Sequence, residues 1–306
     1  MYSSTLYSRK NSECMILGIS TDFVFSSFLV LQFCWFYPGS TLLCDVLDNV
    51  NMALVTKRKP WLGGNWKSNG TKVQVQKLVD QLNSFKFNIE KLDVVIFPTF
   101  IHLHLTSALT SQGYAIGTQS CSATKSGAYT GEISTEAIKD LEIGTTLIGH
   151  SERRQYYGET DDVVAKKLKI ALENSLCAVV CIGETLQERE ESKTTEVLHR
   201  QIDAIRDCPL SAQSVVIAYE PVWAIGSGKV ATPEQAQEAH QTIRHYLKEK
   251  VSAEFAENVR IVYGGSVNAG NADCLIALED VDGFLVGGAS LKPEFGTIIQ
   301  SVASAS

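Results

Sequence analysis

The sequence predicts a single (β/α)8 barrel, a parallel sheet of eight strands closed on itself and ringed by helices. Three observations predict it. Eight short apolar runs rich in β-branched residues recur from Trp61 onward, with helix-like patterns between most of them. The runs are continuous rather than alternating in polarity, as strands are when helices bury both faces of a parallel sheet. From Met52 onward the chain has 255 residues, and a barrel of this kind takes about 250.

The first 51 residues stand apart from that pattern. Phe23–Tyr37 is a 15-residue apolar stretch interrupted by Ser26, Ser27 and Gln32, shorter than the roughly 20 residues of a membrane-spanning helix. Glu13 and Asp22 break a signal-peptide pattern, no A-x-A site follows, and the stretch is not Arg-rich and acid-poor as a transit peptide is. Residues 1–51 therefore read as an extension outside the fold, either a dispensable leader or upstream sequence translated in frame, with organelle targeting as the alternative. Residues 52–306 read as the barrel. A glycosylation sequon at Asn69-Gly70-Thr71 lies next to a candidate site residue, which argues against secretion.

Within the barrel the strand-like runs are Trp61–Asn65, Asp93–Phe97, Ala115–Gln119, Thr146–Gly149, Ala178–Ile182, Val215–Tyr219, Arg260–Tyr263 and Phe284–Val286. After the first run, Val75, Leu78, Val79 and Leu82 fall on one helical face. Before the fifth, Val164, Leu168, Ala171 and Leu172 do the same. After the sixth, Thr232 is an N-cap, Pro233 the first helical residue and Gln235 the third, which completes a capping box. No G-x-G-x-x-G follows any run, so nothing supports an open dinucleotide-binding sheet. His102-Leu103-His104 enters a helix, where positions two apart do not face each other, so no metal is expected there. A net charge of −7 opposes a nucleic-acid partner. Eight cysteines without a C-x-x-C pair suit reduced thiols in a cytoplasmic compartment.

In such a barrel the chemistry sits at the C-terminal ends of the strands. The polar residues there are Asn65 and Lys67 after the first run, His150 and Glu152 after the fourth, Glu220 after the sixth and Ser266 after the seventh, with Gly287-Gly288 after the eighth. Each has a plain structural explanation alone, as a solvated acid, a satisfied buried histidine or a surface lysine. Their common placement favours a site. Glu220-Pro221 leads into a loop bearing Trp223, Ile225 and Gly226 that reads as a lid able to exclude water from a carboxylate base. Gly226-Ser227-Gly228-Lys229 is not a P-loop end, because Trp223 and Val230 occupy positions that need Gly and Ser/Thr. The glycine pairs Gly264-Gly265 and Gly287-Gly288 suit phosphate held by backbone N–H groups. A small phosphorylated metabolite is the expected ligand.

Asn65-Trp66-Lys67, the segments Gly149–Arg154, Tyr219–Gly226 and Tyr263–Ser266, and Asp282–Ser290 resemble the triosephosphate isomerase family, in the right order from about Pro60 to the C-terminus. The resemblance implies a TIM barrel, no cofactor or metal, and interconversion of dihydroxyacetone phosphate and D-glyceraldehyde 3-phosphate through an enediolate, in glycolysis and gluconeogenesis. By that resemblance Glu220 is the base and His150 a neutral imidazole, since the helix opening at Ser151 disfavours added positive charge. Lys67 supplies positive charge with Glu152 as its partner, and Asn65 a hydrogen bond. Gly226, Ser266, Gly287 and Gly288 bind phosphate, and Cys181 is a small buried thiol beside the site. Ser68 stands where many family members carry methionine. The 14-residue loop Ser120–Ile133 is long for a connection of this type. Its tip, Gly127–Glu132, resembles the family segment that enters a neighbouring subunit near that subunit's Asn65 and Lys67, which implies a homodimer. Two other functions compete with this reading. A Schiff-base aldolase needs a lysine on an inner strand, and runs two to eight contain none. A non-catalytic barrel would have lost Glu220, His150 or Lys67, and all three are present.

Overall fold

The computed structural model describes residues 58–226 and 229–305. The expectation for residues 1–51 falls outside them. Eight strands, β1 Trp61–Asn65, β2 Asp93–Phe97, β3 Ala115–Thr118, β4 Thr145–Ile148, β5 Cys177–Ile182, β6 Val215–Tyr219, β7 Arg260–Tyr263 and β8 Gly283–Val286, follow one another round a closed barrel. All the pairings are parallel, and β1 closes the ring by pairing Trp61 with Gly283 as well as with Asp93. β3 ends one residue before its apolar run does, β5 and β8 each begin one residue earlier, and the strand shifted at both ends is β4. It ends before Gly149, whose φ of 70° turns the chain out of the sheet.

Alternate residues of each strand face two different cores. Inward-pointing Trp61, Val95, Phe97, Leu147, Val179, Val216, Val262 and Leu285 fill the barrel, while Leu62, Ile96, Val180, Ile217 and Ile261 meet the helices outside. Burying each such side chain contributes about 1.5–3 kcal/mol. Two glycines make room for the large rings inside. A Cβ at Gly63 would lie 2.5 Å from the Trp61 ring, and one at Gly117 would lie 2.3 Å from that of Phe97.

The helices carry the expected faces. Lys72–Ser84 buries Val75, Val79 and Leu82, and Asp161–Glu173 buries Val164, Leu168 and Ala171. Helix Pro233–Lys250 has its capping box: Thr232 Oγ1 accepts from Gln235 N–H at 3.2 Å, and Gln235 Oε1 accepts from Thr232 N–H at 3.0 Å. Among the described residues no helix is long and apolar enough to cross a membrane.

One buried ion pair ties the start of the loop after β3 to the outer layer. Lys167, in helix Asp161–Glu173, donates to Glu159 Oε1 at 2.5 Å and to Ser120 Oγ at 2.9 Å, and Arg153 also donates to Glu159. Burial pushes the Glu159 carboxyl up, but the hydrogen bonds and charges of Lys167 and Arg153 outweigh it and hold the group below its ordinary range. That stability is present above the unfolded carboxyl's pKa of about 4.3 and is lost as pH falls through the lower folded value. Glu159→Gln strands a buried ammonium and is expected to cost about 3–5 kcal/mol near neutral pH. Urea midpoints of the two proteins check it, and the gap should narrow as pH drops below about 4.

Candidate active site

The site begins where β1 ends. Asn65 is buried, and Lys67, two residues on, has φ of 51°, a left-handed backbone uncommon outside glycine. Lys67 N–H donates to Asn65 Oδ1 at 3.0 Å, which fixes the orientation of the Asn65 amide. Lys67 Nζ donates to Glu152 Oε1 at 2.6 Å. Both side chains are partly exposed, so the pair orients the ammonium more than it stabilises the fold.

After β4 the turn at Gly149 delivers His150 as the N-cap of helix Ser151–Tyr157. His150 Nδ1 accepts from Glu152 N–H at 3.2 Å. With Nδ1 as acceptor, Nε2 is the ring nitrogen left to donate. The nearer Glu152 carboxylate oxygen is 3.8 Å from Nδ1, beyond hydrogen-bond reach. His150 Nε2 lies 3.1 Å from Glu220 Oε1, and Glu220 Oε2 accepts from Ser151 N–H at 2.8 Å. The buried Glu220 carboxylate is thus docked on the positive end of a helix and on the Nε2 side of His150.

Beyond Glu220, Pro221 leads into a short helical turn, Val222–Ala224. Trp223 Nε1 donates to Glu184 Oε1 at 2.9 Å, Tyr219 OH donates to the same carboxylate at 3.1 Å, and Arg189 pairs with it at 3.0 Å while covering the Trp223 ring. Ser266 Oγ donates to Ala224 O at 2.6 Å, so its hydroxyl is engaged with the lid. Gly226 has φ of 65°, and Ser227 and Gly228 fall outside the described residues. Across from the lid, Gly287 caps the turn Gly288–Leu291. A Cβ on Gly287 would lie 3.3 Å from Lys67 Cε, and one on Gly288 would meet nothing within 4 Å. Gly287 therefore packs beside the lysine stem, and only at Gly288 is the space in the Cβ direction open.

Asn65, Lys67, His150, Glu220, Gly226, Ser266, Gly287 and Gly288 line one cavity of about 400 Å³, a size for a small ligand. Ser151 and Cys181 border instead a groove of about 680 Å³ on another side of Glu220. Cys181 is fully buried in the barrel, and burial, with the Glu220 charge beside it, pushes its thiol well above the ordinary range. It stays protonated and is no nucleophile.

The triosephosphate isomerase family model matches residues 60–302. The chain belongs to the triosephosphate isomerase family. A chloroplastic triosephosphate isomerase of Fragaria ananassa is 49% identical over 254 residues, covering 83% of this chain and 81% of its own. The triosephosphate isomerase of Paracoccidioides lutzii is 49% identical over 246 residues, 80% of this chain and 98% of its own. A cytosolic triosephosphate isomerase of Stellaria longipes is 49% identical over 248 residues, 80% of this chain and 96% of its own.

Two residues near the candidate site are not among the strand-end candidates of the sequence. Glu184 follows β5 at the same kind of position as Glu220 and could have been found by that rule, but its partner Trp223 is 39 residues away. Arg154 donates to Gly149 O at 2.8 Å and to Cys181 O at 3.2 Å, clamping the ends of β4 and β5 beside His150. Arg154 lies in the quoted segment Gly149–Arg154, but nothing in the chain indicates that it bridges two strand ends.

Proposed function

We propose that Glu220 is the base with which this enzyme interconverts dihydroxyacetone phosphate and D-glyceraldehyde 3-phosphate, a step of glycolysis. The observation that carries the assignment is the junction of the Glu220 carboxylate, the Nε2–H of a neutral His150 and the Lys67 ammonium on one cavity with the Gly287-Gly288 turn. Removing a proton next to a carbonyl places negative charge on oxygen, and the site must meet that charge with fixed donors. When substrate enters, its carbonyl oxygen competes with Glu220 for His150 Nε2–H. The carboxylate, losing one of its two donors, is released toward the carbon-bound proton. Asn65 and Lys67 supply the remaining donor and positive charge.

The phosphate is read by the main-chain amides of Gly226, Gly287 and Gly288. The Ser266 hydroxyl joins them once it leaves Ala224 O, which links phosphate binding to lid movement. The same site run in reverse serves gluconeogenesis, and no metal or cofactor is required, so a chelator should leave turnover unchanged. We place the enzyme in the cytoplasm as a homodimer joined by Ser120–Ile133. Import into an organelle is the alternative, and mass spectrometry of the native N-terminus separates the two.

Lid closure protects the enediolate from losing phosphate. Deleting Ile225–Gly228 is expected to leave a folded barrel that transfers protons yet releases inorganic phosphate and methylglyoxal alongside isomerised triose. Quantifying those by-products against the intact enzyme tests both lid and chemistry. An unchanged by-product ratio would remove the protective role, and absence of isomerisation by the intact protein would remove the function.

A further inference from the structure

We infer that Gln119 is a positioning residue for Lys67, an inference that rests on Lys67 acting on the phosphorylated substrate. A non-glycine residue keeps a left-handed backbone only where its surroundings over-determine it, and at Lys67 two side chains do so. On one side, Lys67 N–H donates to Asn65 Oδ1 at 3.0 Å. On the other, Lys67 O accepts from Gln119 Nε2 at 2.7 Å, and the same amide donates to Phe97 O at 3.0 Å. Phe97 O also accepts from Trp66 N–H at 3.1 Å. The amide of Gln119, one residue past β3, therefore fastens the Lys67 loop to the end of β2.

Both hydrogens of the Gln119 amide are committed to carbonyl oxygens, which sets the orientation of the group. No other donor reaches Lys67 O among the described residues. Gln119 itself does not line the cavity, so it acts through the lysine. Its position is rigid because the next residue, Ser120, is held by the buried Lys167 at 2.9 Å. Without the Gln119 amide the Lys67–Ser68 peptide loses the hydrogen bond that holds its carbonyl. The left-handed turn can then relax and carry Nζ away from the Gly287-Gly288 turn.

Gln119→Met keeps the length and volume and removes both donors. In the full chain it is expected to lower kcat/KM about tenfold or more, since displacements near 1 Å can cost 10²-fold. It should weaken the affinity for inorganic phosphate, read by calorimetry, by a similar factor. In a Lys67→Met background the same substitution should leave phosphate affinity unchanged, because the group it positions is gone; a merely structural role would weaken both backgrounds alike. Gln119→Asn, which keeps an amide but shortens its reach, should fall between wild type and Gln119→Met, and it carries the test if the methionine variant does not fold. Sedimentation should show every variant assembled as the wild type is. Wild-type kcat/KM and phosphate affinity in Gln119→Met, equal losses in both backgrounds, or a loss that only tracks dissociation would overturn the inference. A Lys67→Met protein with full activity and phosphate affinity would instead overturn the reading of Lys67 itself, and this inference with it.

Discussion

Glu220→Asp is expected to fold and bind substrate nearly as the wild type does, yet to turn over about 10²-fold more slowly. The reason lies in how firmly the backbone at this position is held. Glu220 N–H donates to Ile182 O at 2.7 Å, and on the other side Gly264 N–H donates to Tyr219 O at 2.7 Å. Gly183 lies so close that a Cβ there would come 1.8 Å from Glu220 O. The main chain cannot advance to compensate for a missing methylene, so the shorter side chain withdraws the carboxylate by about a bond length. It then fails to reach the carbon-bound proton with the right alignment, although the phosphate and oxygen contacts that hold substrate are untouched. Steady-state kinetics should place nearly the whole loss in kcat, with circular dichroism unchanged. A wild-type kcat in Glu220→Asp would remove Glu220 from the role of base.

The barrel is legible in the sequence because strands buried on both faces must be apolar throughout, whatever the details of their neighbours. Trp61–Asn65, Asp93–Phe97, Val215–Tyr219 and Arg260–Tyr263 have the bounds their apolar runs predict. The other four differ by one residue at an end, and the end of β4 depends on the dihedral of Gly149, which a residue name does not carry. Glu220, His150 and Lys67 stand out as polar residues directly after apolar runs. Gln119 does not, because it continues the third run and its amide addresses two backbone carbonyls elsewhere in the chain, one at the end of β2 and one in the loop after β1. Glu184 is visible as a polar residue after β5, but its partners are not. Its function is to hold Tyr219 and Trp223, and that grouping exists only once β5 and β6 are side by side. The engagement of Ser266 with Ala224 reflects the position of the lid rather than the identity of either residue, so no reading of the chain alone could supply it.

Tyr129→Asp combined with Thr130→Arg is expected to convert the proposed dimer into folded monomers that lose most of their activity. The loop bearing these residues is built to project. Its base is closed where Ser122 N–H donates to Ile133 O at 2.7 Å, and its tip is shaped by Tyr129 N–H donating to Gly127 O at 2.9 Å and Glu132 N–H to Tyr129 O at 3.0 Å. Tyr129 is 51% exposed on that ordered tip, an arrangement suited to docking because the turn is formed before any partner arrives. In a symmetric pair the same patch is buried twice. Two introduced charges per subunit therefore place four charged side chains in a desolvated interface that offers them no prepared partners, and each unpaired buried ion costs several kcal/mol. The substitutions lie outside the barrel strands, so circular dichroism should persist. Activity should not, because the tip is proposed to brace the neighbouring subunit near its Asn65 and Lys67, the second of which already sits in a strained backbone. Sedimentation of wild type and variant at micromolar concentration, with kcat measured on the same samples, decides it. A variant that stays dimeric would show that the tip is not the interface, and a fully active wild-type monomer of 33.5 kDa would defeat the link between assembly and catalysis.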